Sequence, residues 1–248
     1  HRDLHSFPTR RSSDLHSVLT KFVLYKMLLM DQIRRYGSSP FEVIEFYGGK
    51  GLWTHKDGKR LKQPIPGTPI ISLRTLNRMC VDDWELTIIE KSKKTFIELE
   101  QNILNEFEDR LLPDNVMLVN ANATDERVCE RFEKNNSHGL IFVDPGGVHS
   151  YDFWNTLACI SNKRRKMDIL VHFSASYRKR VKIVQNLPIE MVQKTHCYIN
   201  TQPGVPQWTF LYFTEDPETV PVTEDFVSVQ TDEGKYMLYL ANTKKCDR

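Results

Sequence analysis

The segment that most constrains the fold is Gly139–Val143 (GLIFV), five residues without a charge that run straight into Asp144-Pro145-Gly146-Gly147. A continuous apolar run of this length predicts a strand covered on both faces, as in the middle of a parallel sheet. Such a strand requires helices above and below it, and the rest of the chain supplies them. Strands are expected at 41–46 (FEVIEF), 84–90 (WELTIIE), 116–119 and 168–174 (DILVHFS). Helical periods separate them. The first covers 16–36, with Val18, Phe22, Leu29 and Ile33 on one face, and ends at the breaker Gly37-Ser38-Ser39-Pro40. Others are expected from Thr68 onward and over 92–110, 125–134, 151–162 and 181–194, while the polar stretch 52–66, with Gly58, Pro64 and Pro66, reads as a loop. Residues 197–201 and 208–214 pair as a hairpin across Gly204-Val205-Pro206, and a last hairpin, 226–230 with 236–240, turns at 232–234. The pattern is α/β: a doubly wound, mostly parallel sheet with an antiparallel terminal hairpin.

With 248 residues, 40% hydrophobic and 27% charged, the chain can bury a core without disulfides or metal. A net charge of +2 rules out a histone-like or polybasic protein. No apolar run approaches the roughly 20 residues of a membrane-spanning helix, so no membrane association is expected. Five scattered cysteines, none in a C-x-x-C pair, argue against a disulfide framework and a structural zinc site, and point to a cytoplasmic location. No metal ligands are assigned. Residues 1–15 (HRDLHSFPTRRSSDL) show no period and resemble a translated sequencing-adapter read, so they are set aside as a non-native or disordered leader. The main domain is expected over 16–215, with 216–248 as a β-hairpin extension of it.

Ligands of open parallel sheets bind at the carboxyl ends of the strands. There the sequence carries a polar group four times. Glu45-Phe46-Tyr47-Gly48-Gly49-Lys50-Gly51 follows the first strand. Its glycines either let a ligand approach the backbone or serve a turn for steric reasons alone. The spacing is not G-x-G-x-x-G. Glu90 ends the next strand, where a carboxylate accepts from both ribose hydroxyls of an adenosine-type ligand or simply faces solvent at a helix start. Asn122 follows the third strand and suits an adenine edge or a turn. Asp144, at the mouth of the apolar strand, needs a partner or a raised pKa, which marks it for chemistry.

This set resembles a class I S-adenosylmethionine-dependent methyltransferase, with residues 45–51 matching the (D/E)-x-(F/Y)-x-G-x-G loop. More narrowly, the chain resembles the three-Cys-motif partner protein family. That resemblance rests on Glu45–Gly51, Gly67-Thr68-Pro69, Ile89-Glu90-Lys91, Val143–Gly147, Asp168-Ile169-Leu170 and Gln207–Phe210. It implies a Rossmann-like methyltransferase fold and S-adenosyl-L-methionine as cofactor, held by Glu45, Tyr47, Gly49, Gly51, Glu90 and Asn122. It also implies Asp144 as catalytic residue, Pro145 and Gly146 against the substrate, and a partner protein carrying three cysteines. Two departures stand out: Asn122 where the family has Asp, and Gly146 where it has an aromatic. The base-stacking aromatic of amino-methylating enzymes is thus missing unless Tyr151 or Trp154 supplies it. No cysteine follows a proline, which excludes cytosine-C5 chemistry.

Arg178 and Arg180, in the basic cluster after the 168–174 strand, either contact a nucleic-acid backbone or form a solvated face. His172, in an apolar strand, reads as a satisfied core residue. The leading expectation is methyl transfer to an unidentified acceptor, plausibly a nucleic acid. The alternatives are an accessory partner of a three-Cys-motif protein and a nicotinamide-dependent oxidoreductase. Oligomeric state is not legible.

Overall fold

The computed structural model describes residues 40–56, 59–78, 83–125, 128, 130, 138–144, 151–163, 166–173, 187–200, 209–217 and 226–242. They fall into two compact units, one up to Asn122 and one from Ala123.

In the first unit, strand β1 (Phe41–Phe46) is buried at every position. It is followed by β2 (Leu52–Lys56), β3 (Lys59–Pro66), helix α1 (Thr68–Arg78), β4 (Trp84–Glu90), α2 (Lys93–Leu104) and β5 (Val116–Asn120). β1, β4 and β5 pair in parallel in that order. Helix α1 starts with Pro69 in its first turn, where a missing N–H costs nothing, and buries Ile70, Leu73 and Leu76. Ser92 caps α2, its Oγ accepting from the Thr95 N–H at 3.3 Å, and the helix buries Leu99 and Ile103. It ends at Leu104, six residues short of the expected 110.

The loop expected at 52–66 is instead an antiparallel ribbon of β2 and β3, with Leu52 opposite Pro66 and Trp53 opposite Ile65. Its prolines were misleading signals. A two-stranded ribbon consists only of edges, where a missing N–H is tolerated.

The second unit holds β6 (His138–Val143), α3 (Tyr151–Lys163), β7 (Met167–Phe173), a 3-10 turn (Ile189–Met191), β8 (His196–Asn200), β9 (Thr209–Thr214), β10 (Phe226–Ser228) and α4 (Asp232–Asn242). Leu140 to Val143 have no exposed surface, as a central strand requires. β6 and β7 are parallel, while β7–β9, β9–β8 and β8–β10 are antiparallel. The fold class is thus α/β of Rossmann-like type, with parallel βαβ connections and antiparallel strands beyond them.

Within the expected last hairpin, only the first strand exists. Residues 236–240 belong to α4, not to a strand. Thr231 caps this helix, its Oγ1 accepting from the Gly234 N–H at 3.1 Å, and Asp232 and Glu233 occupy the first turn, favourable at a helix N-terminus. Residues 236–240 (YMLYL) are a short continuous apolar run, whose pattern alone fits a strand or a helix, and the capping signal decides for the helix. Of the helix expected at 181–194, the described part holds only the 3-10 turn, after Pro188. The helix at 16–36 and most of that at 125–134 lie outside the described residues.

A Cβ on Gly234 would stand 2.0 Å from the Ser228 carbonyl oxygen. Gly234→Ala is therefore expected to push α4 off β10 at a cost of about 3 kcal/mol. Limited proteolysis should then cut the C-terminal segment well before the rest; an unchanged digestion pattern would refute the packing.

Candidate functional site: a glycine loop and an Asp–His pair

The first unit carries the loop after β1. Parallel pairing sets Phe46 against Ile89, so the chain leaving β1 emerges beside Glu90. The Gly48 N–H donates to the Ile89 carbonyl at 3.0 Å. Tyr47, Gly49 and Gly51 then take positive φ values of 67°, 58° and 73°. For Tyr47 this left-handed conformation is strained and marks a place where the backbone is over-determined. Its neighbouring glycines differ in what excludes a side chain. At Gly51 a Cβ would meet Leu99 at 3.1 Å, whereas at Gly49 nothing lies within 4 Å. Space stands open above Gly49.

Glu90 ties the loop down. One carboxylate oxygen accepts from the Gly49 N–H at 3.0 Å, the other from the Ser92 N–H at 2.8 Å. Two bonds of this charge-assisted kind fix both the loop and the start of α2. Asn120, paired with Glu90 across the ladder, donates its amide to the carbonyls of Glu90 at 2.8 Å and Lys91 at 3.2 Å. From the other side, Asn102 of α2 donates to the Lys50 carbonyl at 2.8 Å. The Lys50 ammonium lies 2.8 Å from Glu98, and this hydrogen bond holds the Glu98 carboxyl below its ordinary range.

Glu45, placed in the cofactor set by its motif, is fully buried and accepts from the Ser72 hydroxyl of α1. It therefore braces the loop from beneath. Asn122 is half-buried in the turn after β5. Ser92, Asn120, Asn102 and Ser72 were not singled out by the sequence. Ser92 was recoverable as a helix cap, Asn120 only from the strand register, and Ser72 and Asn102 only from how their helices pack.

Burial pushes the Tyr47 phenol up from 10.0 to about 12. The folded state thus favours the neutral phenol. Its contribution to stability is complete below pH 10, the unfolded value, and is lost as pH rises toward 12. Alkaline absorbance titration of wild type minus Tyr47→Phe should place this tyrosine's midpoint near 12; a midpoint near 10 would contradict its burial.

The second unit carries Asp144, one step past β6. Val143 opposes Val171, so Asp144 stands opposite His172 of β7. The His172 Nδ1 lies 2.8 Å from Asp144 Oδ1. The His172 side chain is 1% exposed and that of Asp144 13%. The Phe210 ring packs 4.7 Å from the imidazole. His172 is in the core, as read, but its partner is the carboxylate marked for chemistry. That pairing was invisible in the sequence because it depends on register across 28 residues. Toward the other end of β7, Tyr212 donates to the buried Asp168 carboxylate.

Trp154 does not supply a base-stacking face: it is 2% exposed, edge-on to Phe153 at 5.3 Å. Burial also pushes the Cys197 thiol well above its ordinary value, which leaves it a poor nucleophile. Pro145, Gly146, Arg178 and Arg180 lie outside the described residues. Among the described residues, no three His, Cys, Asp or Glu side chains cluster to hold a metal, and no helix is long and apolar enough to cross a membrane.

No family model and no curated protein matches the chain. Among solved structures, it is similar to the putative methyltransferase yhhF from Escherichia coli, at 14% identity over 77% of this chain and 86% of that one, with a TM-score of 0.42. It is similar to the plantazolicin methyltransferase BamL, at 10% identity over 83% and 89%, with a TM-score of 0.45. It is similar over 91% of its length to protein LPL1258 from Legionella pneumophila str. Philadelphia 1, covering 90% of that chain at 13% identity with a TM-score of 0.55, a likeness of fold.

Proposed function

We propose that the protein is an S-adenosylmethionine-dependent methyltransferase of the three-Cys-motif partner type. The observation that carries this reading is the Gly49 position: positive φ, open space where a side chain would project, and an N–H held by the Glu90 carboxylate. A cradle of this kind suits a ligand that needs both close backbone approach and an acceptor for its hydroxyls. When bound, S-adenosylmethionine supplies an electrophilic methyl group. The chain's part is to bind and orient. Gly49 and Gly51 shape the loop, Tyr47 and Glu45 fix it, Glu90 accepts from a ribose, and Asn122 meets the adenine edge. Asp144, with Pro145 and Gly146, serves the acceptor side, and its carboxylate receives or orients the acceptor's proton. Catalysis is then largely positioning.

The acceptor class we favour is nucleic acid, with Arg178 and Arg180 on its phosphates, and the compartment is the cytoplasm. Asn122 in place of Asp favours a second reading, in which the fold is kept as an accessory to a cysteine-rich partner. Calorimetric titration of the full chain with S-adenosylmethionine, S-adenosylhomocysteine and NAD decides among these. Micromolar binding of the first two, about −8 kcal/mol, without NAD is expected. Binding of none would give the accessory reading the lead, and tight binding of NAD alone would replace it with an oxidoreductase.

A further inference from the structure

We propose that His172 is the positioning residue for Asp144, holding its carboxylate to receive a proton from an acceptor nitrogen or oxygen. The inference rests on the methyltransferase reading above. It starts from an asymmetry: the imidazole is 1% exposed and the carboxylate it meets at 2.8 Å is 13% exposed. The ring is held against Phe210 at 4.7 Å. A fixed donor thus sits behind, and a carboxylate reaches the surface in front of it. Closing two strand ends does not call for this pair, because the Val143–Val171 register already brings the backbones together. Well-packed apolar groups at such sites are often equal or better for stability, since they carry no desolvation cost. A stability role leaves the pair unaccounted for, whereas orienting a base accounts for both its polarity and its placement.

The step balances as follows. An acceptor X–H attacks the methyl carbon, the X–C bond forms, and the C–S bond breaks with its electron pair passing to sulfur. The proton of X passes to the Asp144 carboxylate, which becomes neutral while His172 keeps it in place. Acceptors that gain a methyl without losing a proton, such as thioethers, have no use for this pair. The substrate class is therefore one with an N–H or O–H at the methylated atom.

The test uses two ligands. S-adenosylhomocysteine lacks the transferred group, and sinefungin carries an ammonium in its place, which offers N–H donors to the carboxylate. The full chain is titrated calorimetrically with each, as wild type, Asp144→Asn, His172→Leu and His172→Asn. Wild type should prefer sinefungin about tenfold, on the order of one charge-assisted hydrogen bond. Asp144→Asn and His172→Leu should lose the preference while keeping their affinity for S-adenosylhomocysteine. His172→Asn, whose amide nitrogen can donate from near the Nδ1 position, should retain it. Undiminished preference in His172→Leu overturns the inference, as does a wild type that binds both ligands without preference. If His172→Leu does not fold, nitrogen-15 spectra of wild type decide: the proton should sit on Nδ1, and a proton on Nε2 alone overturns the pairing. Failure of both ligands to bind wild type removes the methyltransferase reading and this inference with it.

Discussion

Gly49→Val is expected to weaken binding of S-adenosylmethionine by more than about 100-fold, a loss of about 2.7 kcal/mol or more, in a protein that still folds. A Cβ at this position meets nothing within 4 Å beyond its chain neighbours, so a side chain enters open space at its first carbon. What it does is fill the open space and impose left-handed strain at φ 58°. Gly49→Ala separates these two effects. It shares the strain, which costs about 1–2 kcal/mol of stability, yet adds only one methyl group to the cradle. Alanine should therefore lower the melting temperature slightly and keep measurable binding, while valine loses it. Wild-type affinity in Gly49→Val would show that nothing binds over the loop.

One residue earlier the outcome reverses. Gly48→Ala is expected to cost the fold rather than the ligand, because its Cβ would lie 2.4 Å from Ile88 Cγ2 and 3.2 Å from Leu99 Cδ2. Both neighbours have no exposed surface, and a branched methyl at the centre of β4 cannot swing aside. Overpacking of this severity costs about 3 kcal/mol or more, a fall in melting temperature on the order of 10 °C. Any loss of ligand affinity should vanish when binding is measured far below the transition. A Gly48→Ala protein as stable as wild type would mean that β1 does not deliver the loop onto β4 as described.

The contrast bears on how much of the site was legible in the sequence. The motif Glu45–Gly51 marked the loop, but it did not distinguish the glycine that faces open space from the two that face Ile88 and Leu99. It also grouped Glu45 with the ligand contacts, although this residue is buried against Ser72. Strands β1, β4 and β6 were readable because each holds four large apolar residues within a run of six or seven. The β2–β3 ribbon was hidden by prolines that an edge tolerates, and α4 by a short apolar run, 236–240, that fits a strand or a helix until Thr231 and the two acids after it are read as a cap. Pairings such as Asp144 with His172, or Asn120 with the carbonyls of residues 90 and 91, require the register of neighbouring strands. Local periodicity carries no such information.

The bonds from Glu90 to Gly49 and Ser92 also govern how fast a ligand can arrive. A loop already pinned at its tip has little ordering left to do, so capture does not wait for a rare open or closed conformer. Each carboxylate oxygen has a second lone pair, which lets a diol join the existing N–H donors without displacing them. Association should then rise linearly with ligand concentration in a stopped-flow trace, with no plateau, and the selectivity of the loop would reside in how slowly the right ligand leaves.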